Sequence, residues 1–428
     1  MSNRPSFRRL PVAICVLQGL LVATWTAYAL LLVPLAERAG IAASAVVWIL
    51  FVDQVIFVVS DWASGIYADW LSRTLRRIGP SLILAALLSG ALLCLLPSAS
   101  QVSPAVFVAT AFVWACTSSF LRAPVFALLA RASDRHSAGP AISVSLVGVG
   151  IAGALGPLLT QSLRGLDPLL PFAVASVAIT AVTLALARIE AIAVPDAESS
   201  AGDRRSAARI AAVPSEFRGA TRLSAMPDGL KGALREVLRT PDYRGAIGLA
   251  ALAACGALAV QGITVLMPQN AAFRGLLPAP QWNAAFWTGF SLALAPAALG
   301  ASRHYTWRAA GIGFGIGTLL LALLHYQVVH DFALIVIAVL GACWAIGYTF
   351  LLTRALDTRP GLQAGIPIGL LLSGLSLAAA LRLLIVATGL QAAMPVAALC
   401  AACWAVTAAA CIAMPIDASR TSPPAPPS

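Results

Sequence analysis

Residues 61–80 read DWASGIYADWLSRTLRRIGP. The segment opens as the end of a long apolar run that admits two acids, Asp61 and Asp69. It then turns basic at Arg73, Arg76 and Arg77 and stops at Gly79-Pro80. Upstream the apolar run reaches back to about residue 43, and downstream another begins at residue 80. Crossing the hydrocarbon core takes about 20 mostly apolar residues as a helix, so both neighbours are long enough to span. The basic stretch between them is a short turn at a membrane surface.

The rest of the chain repeats this pattern. Of 428 residues 60% are hydrophobic and 11% charged, against about a quarter charged in soluble domains. Soluble domains of this total length could not hide so much apolar surface, so the chain belongs in a bilayer. Apolar runs fall at 11–34, 43–65, 80–97, 104–130, 140–160, 168–187, 245–268, 282–301, 309–327, 332–353, 362–388 and 394–415. None alternates with the period of two that a membrane barrel requires, so the expected class is all-α with 12 transmembrane helices. Arg4, Arg8 and Arg9 precede the first run, and Ala27-Tyr28-Ala29 resembles a signal-peptide cleavage site. The run continues to Pro34, however, and is kept as the first span.

Lys and Arg number 28 against 17 Asp and Glu, a formal charge of +11. With the N-terminus in the cytoplasm, 23 of the basic residues fall in cytoplasmic segments. Outer loops hold only Arg38, Arg164 and Arg274, and Arg122 and Arg382 lie within spans. By the positive-inside rule both termini are cytoplasmic. The net charge is therefore a topology signal on one face, and nucleic acid, which needs a clustered basic surface on a soluble element, is not an expected partner. All eight Cys lie in apolar runs and behave as small hydrophobes. Cys400 and Cys403 form a CxxC with no second pair or His cluster beside it, so no metal site is expected.

Composition changes over 188–244, where Pro, Ser, Asp, Glu and Arg replace the apolar background. The expected organisation is a six-helix bundle over 1–187, a cytoplasmic linker over 188–244, a second six-helix bundle over 245–415, and a tail over 416–428. Within the linker, DGLKGALREVLRT spaces Leu230, Leu234 and Leu238 by four with Lys231, Arg235 and Arg239 beside them. That is the pattern of an amphipathic helix on a membrane surface or of a solvated tether.

Gly65, Asp69 and Arg73 at spacings of four, followed by Arg76 and Arg77, resemble the loop 2–3 signature of the major facilitator superfamily, G-x-x-x-D-R-x-G-R-R/K. Trp70 and Ser72 stand where that family usually has Arg and Gly. Locally, Gly65 permits close helix approach, and Asp69 can pair with Arg73 or cap a neighbouring helix's positive N-terminus. Arg73 can reach Asp134 in the next cytoplasmic turn. The resemblance implies that such contacts hold the two halves together on the cytoplasmic side while the cavity faces outward. Asp61, Gly65 and Asp69 are also similar to the helix 2 region of the glycoside-pentoside-hexuronide cation symporters, although Phe57 replaces an acid of theirs. Gly156-Pro157 in span 5 resembles part of the antiporter motif of the same superfamily.

Asp53, Asp61, Arg122 and Arg382 lie within spans, where each costs about 2.5–3.5 kcal/mol if unpaired at the bilayer centre. At about 1.5 Å per residue, Asp53 lies about 15 Å and Arg382 about 9 Å from the outer ends of their spans. In the superfamily these spans face one another across the halves, so the pair is expected to act as a breakable outer latch or a proton site. Asp61 and Arg122 lie toward the cytoplasmic ends of spans 2 and 4, which suits a standing pair within one half. Gln18, Thr24 and Trp25, Gln261, and Tyr348 with Thr349 lie on helices that line the central cavity in that family.

The resulting expectation is a secondary active transporter of the bacterial inner membrane. It moves a small molecule by alternating access as a monomer among membrane lipid, coupled to protons, with its direction open and no cofactor. A sodium-coupled or facilitated carrier is the alternative within transport. A polytopic enzyme would need a cluster at one face, and His136, His304, His325 and His330 are scattered over both; a non-transporting receptor is the remaining rival. No Walker-type phosphate loop occurs.

Overall fold

In lipid every backbone N–H and C=O must find its partner within the chain, and long apolar runs satisfy this by coiling. A computed structural model describes residues 5–74, 77–133, 137–193, 241–273, 275–304, 307–356 and 364–414, with no strand among them. The N-terminal half contains α1 (Pro5–Arg38), α2 (Val46–Thr74), α3 (Gly79–Val102), α4 (Pro104–Ser119), α5 (Ala123–Ala132), α6 (Ala138–Leu163) and α7 (Leu169–Ala193). The C-terminal half contains α8 (Pro241–Gln261), α9 (Ala279–His304), α10 (Trp307–His325), α11 (Ala333–Leu356), α12 (Gly365–Ala387) and α13 (Val396–Ala413). Because α4 and α5 together make one span, each half has six. Eleven of the spans are both long and apolar enough to cross a membrane; α9, the twelfth, has 26 residues and packs between α6 and α11 as part of the same bundle.

Large apolar side chains point outward along these helices, among them Val102, Val177 and Leu292 at 70% exposure each. Water would not tolerate so continuous an apolar surface; the chain is a multi-pass membrane protein. Between helices, where lipid is as apolar as Leu, association rests on close packing and a few polar contacts. One such contact is Trp404 Nε1, which donates to the carbonyl of Gly256 at 3.0 Å.

Three departures from the sequence expectation matter for the site. The fourth span is broken at Phe120–Arg122, because Pro124 in the first turn of α5 has no N–H for the carbonyl four residues back. The sixth span runs to Ala193, six residues beyond 187, and carries Glu190 into the bundle. There the Glu190 carboxylate accepts from the first amides of α3, Ile78 N–H at 2.8 Å and Gly79 N–H at 2.6 Å, with Arg131 Nη1 at 3.7 Å. These partners let an acid sit 2% exposed. The seventh span begins at Pro241 and loosens after Gln261 into a π turn over Gly262–Leu266, then a 3-10 turn over Met267–Gln269. The proposed surface helix at 228–240, Asp134 and the tail at 416–428 lie outside the described residues, as does the side chain of Arg73.

The two halves meet along α2 against α12 and α6 against α9. A Cβ at Gly65 would collide with the carbonyl of Gly365 and crowd Gly369, so glycine is what allows these backbones to touch.

Candidate functional site

Helices α2 and α12 run side by side, and their contacts define the ends of the molecule. At the end leading to the turn between α2 and α3, the Asp69 carboxylate accepts from Gly365 N–H at 2.8 Å and Ile366 N–H at 2.9 Å. These amides open α12 and have no partner within their own helix. Deeper in, Ser373 Oγ donates to the carbonyl of Val58 at 2.7 Å. Among the described residues, the hydrogen bonds between the two helices fall within Val58–Asp69 and Gly365–Ser376. This is the sealed end of the molecule. The helix N-terminus, one of the two partners expected for Asp69, is in place; the side chain of the other, Arg73, lies outside the described residues.

Midway along, Asp61 is fully buried and carries a dense set of donors. Ser119 Oγ donates at 2.8 Å, Arg122 Nη1 at 3.0 Å, and Ser376 Oγ at 3.0 Å. Arg122 Nη1 also donates to Ser376 Oγ at 3.2 Å, and its guanidinium lies 5.5 Å from the centre of the Phe57 ring. The break in the fourth span places Arg122 where it can turn toward α2. The expected Asp61–Arg122 pair is thus formed, but it is not confined to one half, since Ser376 of α12 belongs to both of its members.

Beyond this pair, on the other side from the seal, lies a cavity of about 370 Å³ between the halves. Gln18 and Trp25 of α1, Gln54 and Phe57 of α2, Trp114 of α4 and Arg122 line it from the N-terminal half. Gln261, Trp287 of α9, Trp344 and Tyr348 of α11, and Ser376 and Arg382 of α12 line it from the other. Of the six residues that the sequence nominated for a cavity, Gln18, Thr24, Trp25, Gln261 and Tyr348 are in its wall, whereas Thr349 is fully buried behind it. Trp344 and Tyr348 stack at 5.2 Å with planes 2° apart, and Trp25 and Trp114 at 6.1 Å and 7°.

Asp53 and Arg382 are not joined, contrary to the expected latch. Asp53 is fully buried behind the wall, where Tyr28 on α1 donates its hydroxyl to Oδ2 at 2.7 Å and Oδ1 has no hydrogen-bond partner. The physical reason is helix phase: with about 3.6 residues per turn, Gln54 faces the cavity while Asp53, one residue earlier, faces α1. Tyr28 in turn packs 4.2 Å from Trp114 and 5.4 Å from Trp25, so the cavity wall and this buried carboxyl share their aromatic partners. Arg382 stays in the wall, its Nε enclosed and without a partner.

Sequence reasoning missed Tyr28, Gln54, Ser119, Ser376 and Glu190. The serines and Tyr28 carry no periodic signal inside apolar runs. Glu190 could have been found as an acid within one turn of the end of an apolar run, where a neighbouring helix starts.

No protein-family model matches the sequence, and a search of curated proteins finds no match. Solved structures do match. The human organic anion transporter MFSD10 (TETRAN) superposes with a TM-score of 0.66 at 17% identity, over 95% of this chain and 99% of that one. The E. coli fucose:proton symporter FucP superposes with a TM-score of 0.60 at 14% identity, again over 95% and 99%.

Proposed function

The chain has the major facilitator superfamily fold, and on that premise we propose that it is a secondary active transporter moving a small molecule by alternating access. The observation that carries this reading is the cavity between two six-span halves, with the hydrogen bonds between α2 and α12 gathered toward one end among the described residues. Rocking one half against the other about that cavity would break the seal at Asp69 and Gly65 and close the opposite end. The charge distribution of the sequence supports a cytoplasmic position for the sealed end; the carrier is taken to sit in a bacterial inner membrane, so that the arrangement faces outward. The two structural neighbours, an organic anion transporter and a fucose:proton symporter, support transport of a small molecule.

Coupling to protons is assigned to Asp53. Its carboxyl is buried, has one oxygen without a hydrogen bond, and leans through Tyr28 on the aromatic wall of the cavity. A proton there removes the cost of a dry charge, and a movement of α1 that withdraws Tyr28 changes how firmly it is held. Asp61, with an ion pair and two hydroxyl donors, is fully compensated and serves as structure. The carrier is taken to work as a monomer.

The test is flux in proteoliposomes under an imposed pH gradient, screened over metabolites and organic ions. Gradient-driven accumulation of at least one compound is expected for the intact chain and its loss in Asp53→Asn. Undiminished gradient-driven accumulation in that variant would remove Asp53 from coupling, and absence of flux for every compound would overturn the transport reading.

A further inference from the structure

The cavity wall has an electrostatic imbalance. Two guanidinium groups border it, those of Arg122 and Arg382, and no carboxylate is among its described lining residues. Arg122 is neutralised at 3.0 Å by Asp61. Among the described residues Arg382 has no hydrogen bond or ion pair, and its Nε is enclosed without a partner. The other acid at this depth, Asp53, is turned away behind Trp25 and Trp114 and engaged by Tyr28. A cation kept in a membrane interior without a counter-charge is expensive, and the missing partner is what a ligand would bring.

Resting on the transport reading above, we infer that the cavity takes an amphipathic organic monoanion, an aromatic or bulky apolar body bearing one carboxylate or sulfonate, with Arg382 as its anchor. A guanidinium offers parallel N–H donors matched to the two oxygens of such a group. The wall supplies the complement to the body: Trp25, Trp287, Trp344 and Tyr348 give flat apolar faces. Gln18 Nε2 is buried and lacks an acceptor, so one further polar atom on the ligand has a donor waiting. A cavity of about 370 Å³ suits a compound of one or two rings. A cation meets repulsion from Arg382 with no acid to offset it, and a neutral sugar leaves the guanidinium unmet.

The experiment uses the full chain in nanodiscs and reads quenching of its tryptophan fluorescence. The probes are 2-naphthoate, naphthalene-2-sulfonate, 2-naphthamide and 2-naphthylmethylammonium. The two anions are expected to bind saturably, and the amide and the amine at least 10-fold more weakly. Arg382→Gln should weaken both anions about 10- to 100-fold, the range for losing a charge-assisted hydrogen-bonded pair, while leaving the amide unchanged. Arg382→Lys should recover part of the loss, and monodispersity by gel filtration shows that each variant is folded. Sulfonate stays charged across the pH range, which separates anion recognition from proton binding. Equal affinity for acid and amide, no binding of either anion, or unchanged anion affinity in a folded Arg382→Gln would overturn the assignment. Flux measurements separate the two readings. Gradient-driven flux of amines or sugars without anion binding ends the anion assignment and leaves transport standing, whereas anion binding with no flux of any compound does the reverse.

Discussion

The carboxylate of Asp69 on α2 caps the first turn of α12 through the amides of Gly365 and Ile366, at 2.8 and 2.9 Å. The acid comes from one half of the molecule and the helix end from the other. A negative charge at a helix N-terminus is favourable through the helix dipole, and the amides it serves would otherwise need water. Because water can replace the carboxylate when the halves part, the contact is strong enough to hold and cheap enough to break.

Asp69→Asn should loosen this contact by about 1–2 kcal/mol, the range for a charged cap reduced to a neutral one. Hydrogen exchange at Gly365 and Ile366 is then expected to quicken about 5- to 30-fold, with amides in the middle of α12 unaffected. Unchanged exchange at those two positions would show that the carboxylate does not hold the helix end.

Gly65 is pressed against the backbone of Gly365 and Gly369, whereas Gly156 of α6 has nothing within 4 Å of where a Cβ would stand. Gly65→Ala must therefore force two backbones apart, at about 1–3 kcal/mol, and Gly156→Ala should be neutral. A thermal unfolding midpoint that falls for the first and holds for the second checks the seam. Equal midpoints would mean that the helices have room to yield.

Removing Arg122 strands the fully buried Asp61 carboxylate, at up to about 3–5 kcal/mol, whereas removing Asp61 strands a guanidinium that is a quarter exposed on the cavity wall and costs less. Arg122→Gln should therefore lower stability more than Asp61→Asn, and the double variant should lose less than the sum of the two. Strict additivity would show that they do not act as a pair.

Glu190 caps α3 inside the N-terminal half, so its loss should act on stability and not on motion between halves. Glu190→Gln is expected to destabilise by about 1–2 kcal/mol and to leave the affinity for any cavity ligand within twofold. A large affinity change would move Glu190 into the machinery of the cavity.

The helices, the turn at 61–80 and the residues Gly65 and Asp69 were legible in the sequence because burial in lipid writes itself as long apolar runs, and close approach as spaced glycines. The cavity residues Gln18, Trp25, Gln261 and Tyr348 were legible for a related reason: polar or amphipathic side chains inside spans need somewhere to face. The partner of Asp53 was not, because depth along a helix can be counted from the sequence but rotation relative to a neighbour cannot. Asp53 and Arg382 sit at compatible depths, yet Asp53 faces Tyr28. Likewise the run at 104–130 reads as one continuous span, and only the fold shows the break before Pro124 that turns Arg122 onto Asp61 and Ser376.

Alternating exposure of one central cavity is tested most directly by two spin-label distances, in the full chain with its native cysteines replaced. One pair, Ile192→Cys with Met414→Cys, spans the halves at the sealed end, and the other, Leu166→Cys with Leu390→Cys, spans them at the opposite end; all four positions are exposed. Pulsed dipolar measurements in nanodiscs, across pH and with saturating 2-naphthoate, should show a second population in which the first distance is longer and the second shorter. Two distances that stay single-valued under every condition, or that lengthen together, would contradict transport by rocking of the two halves.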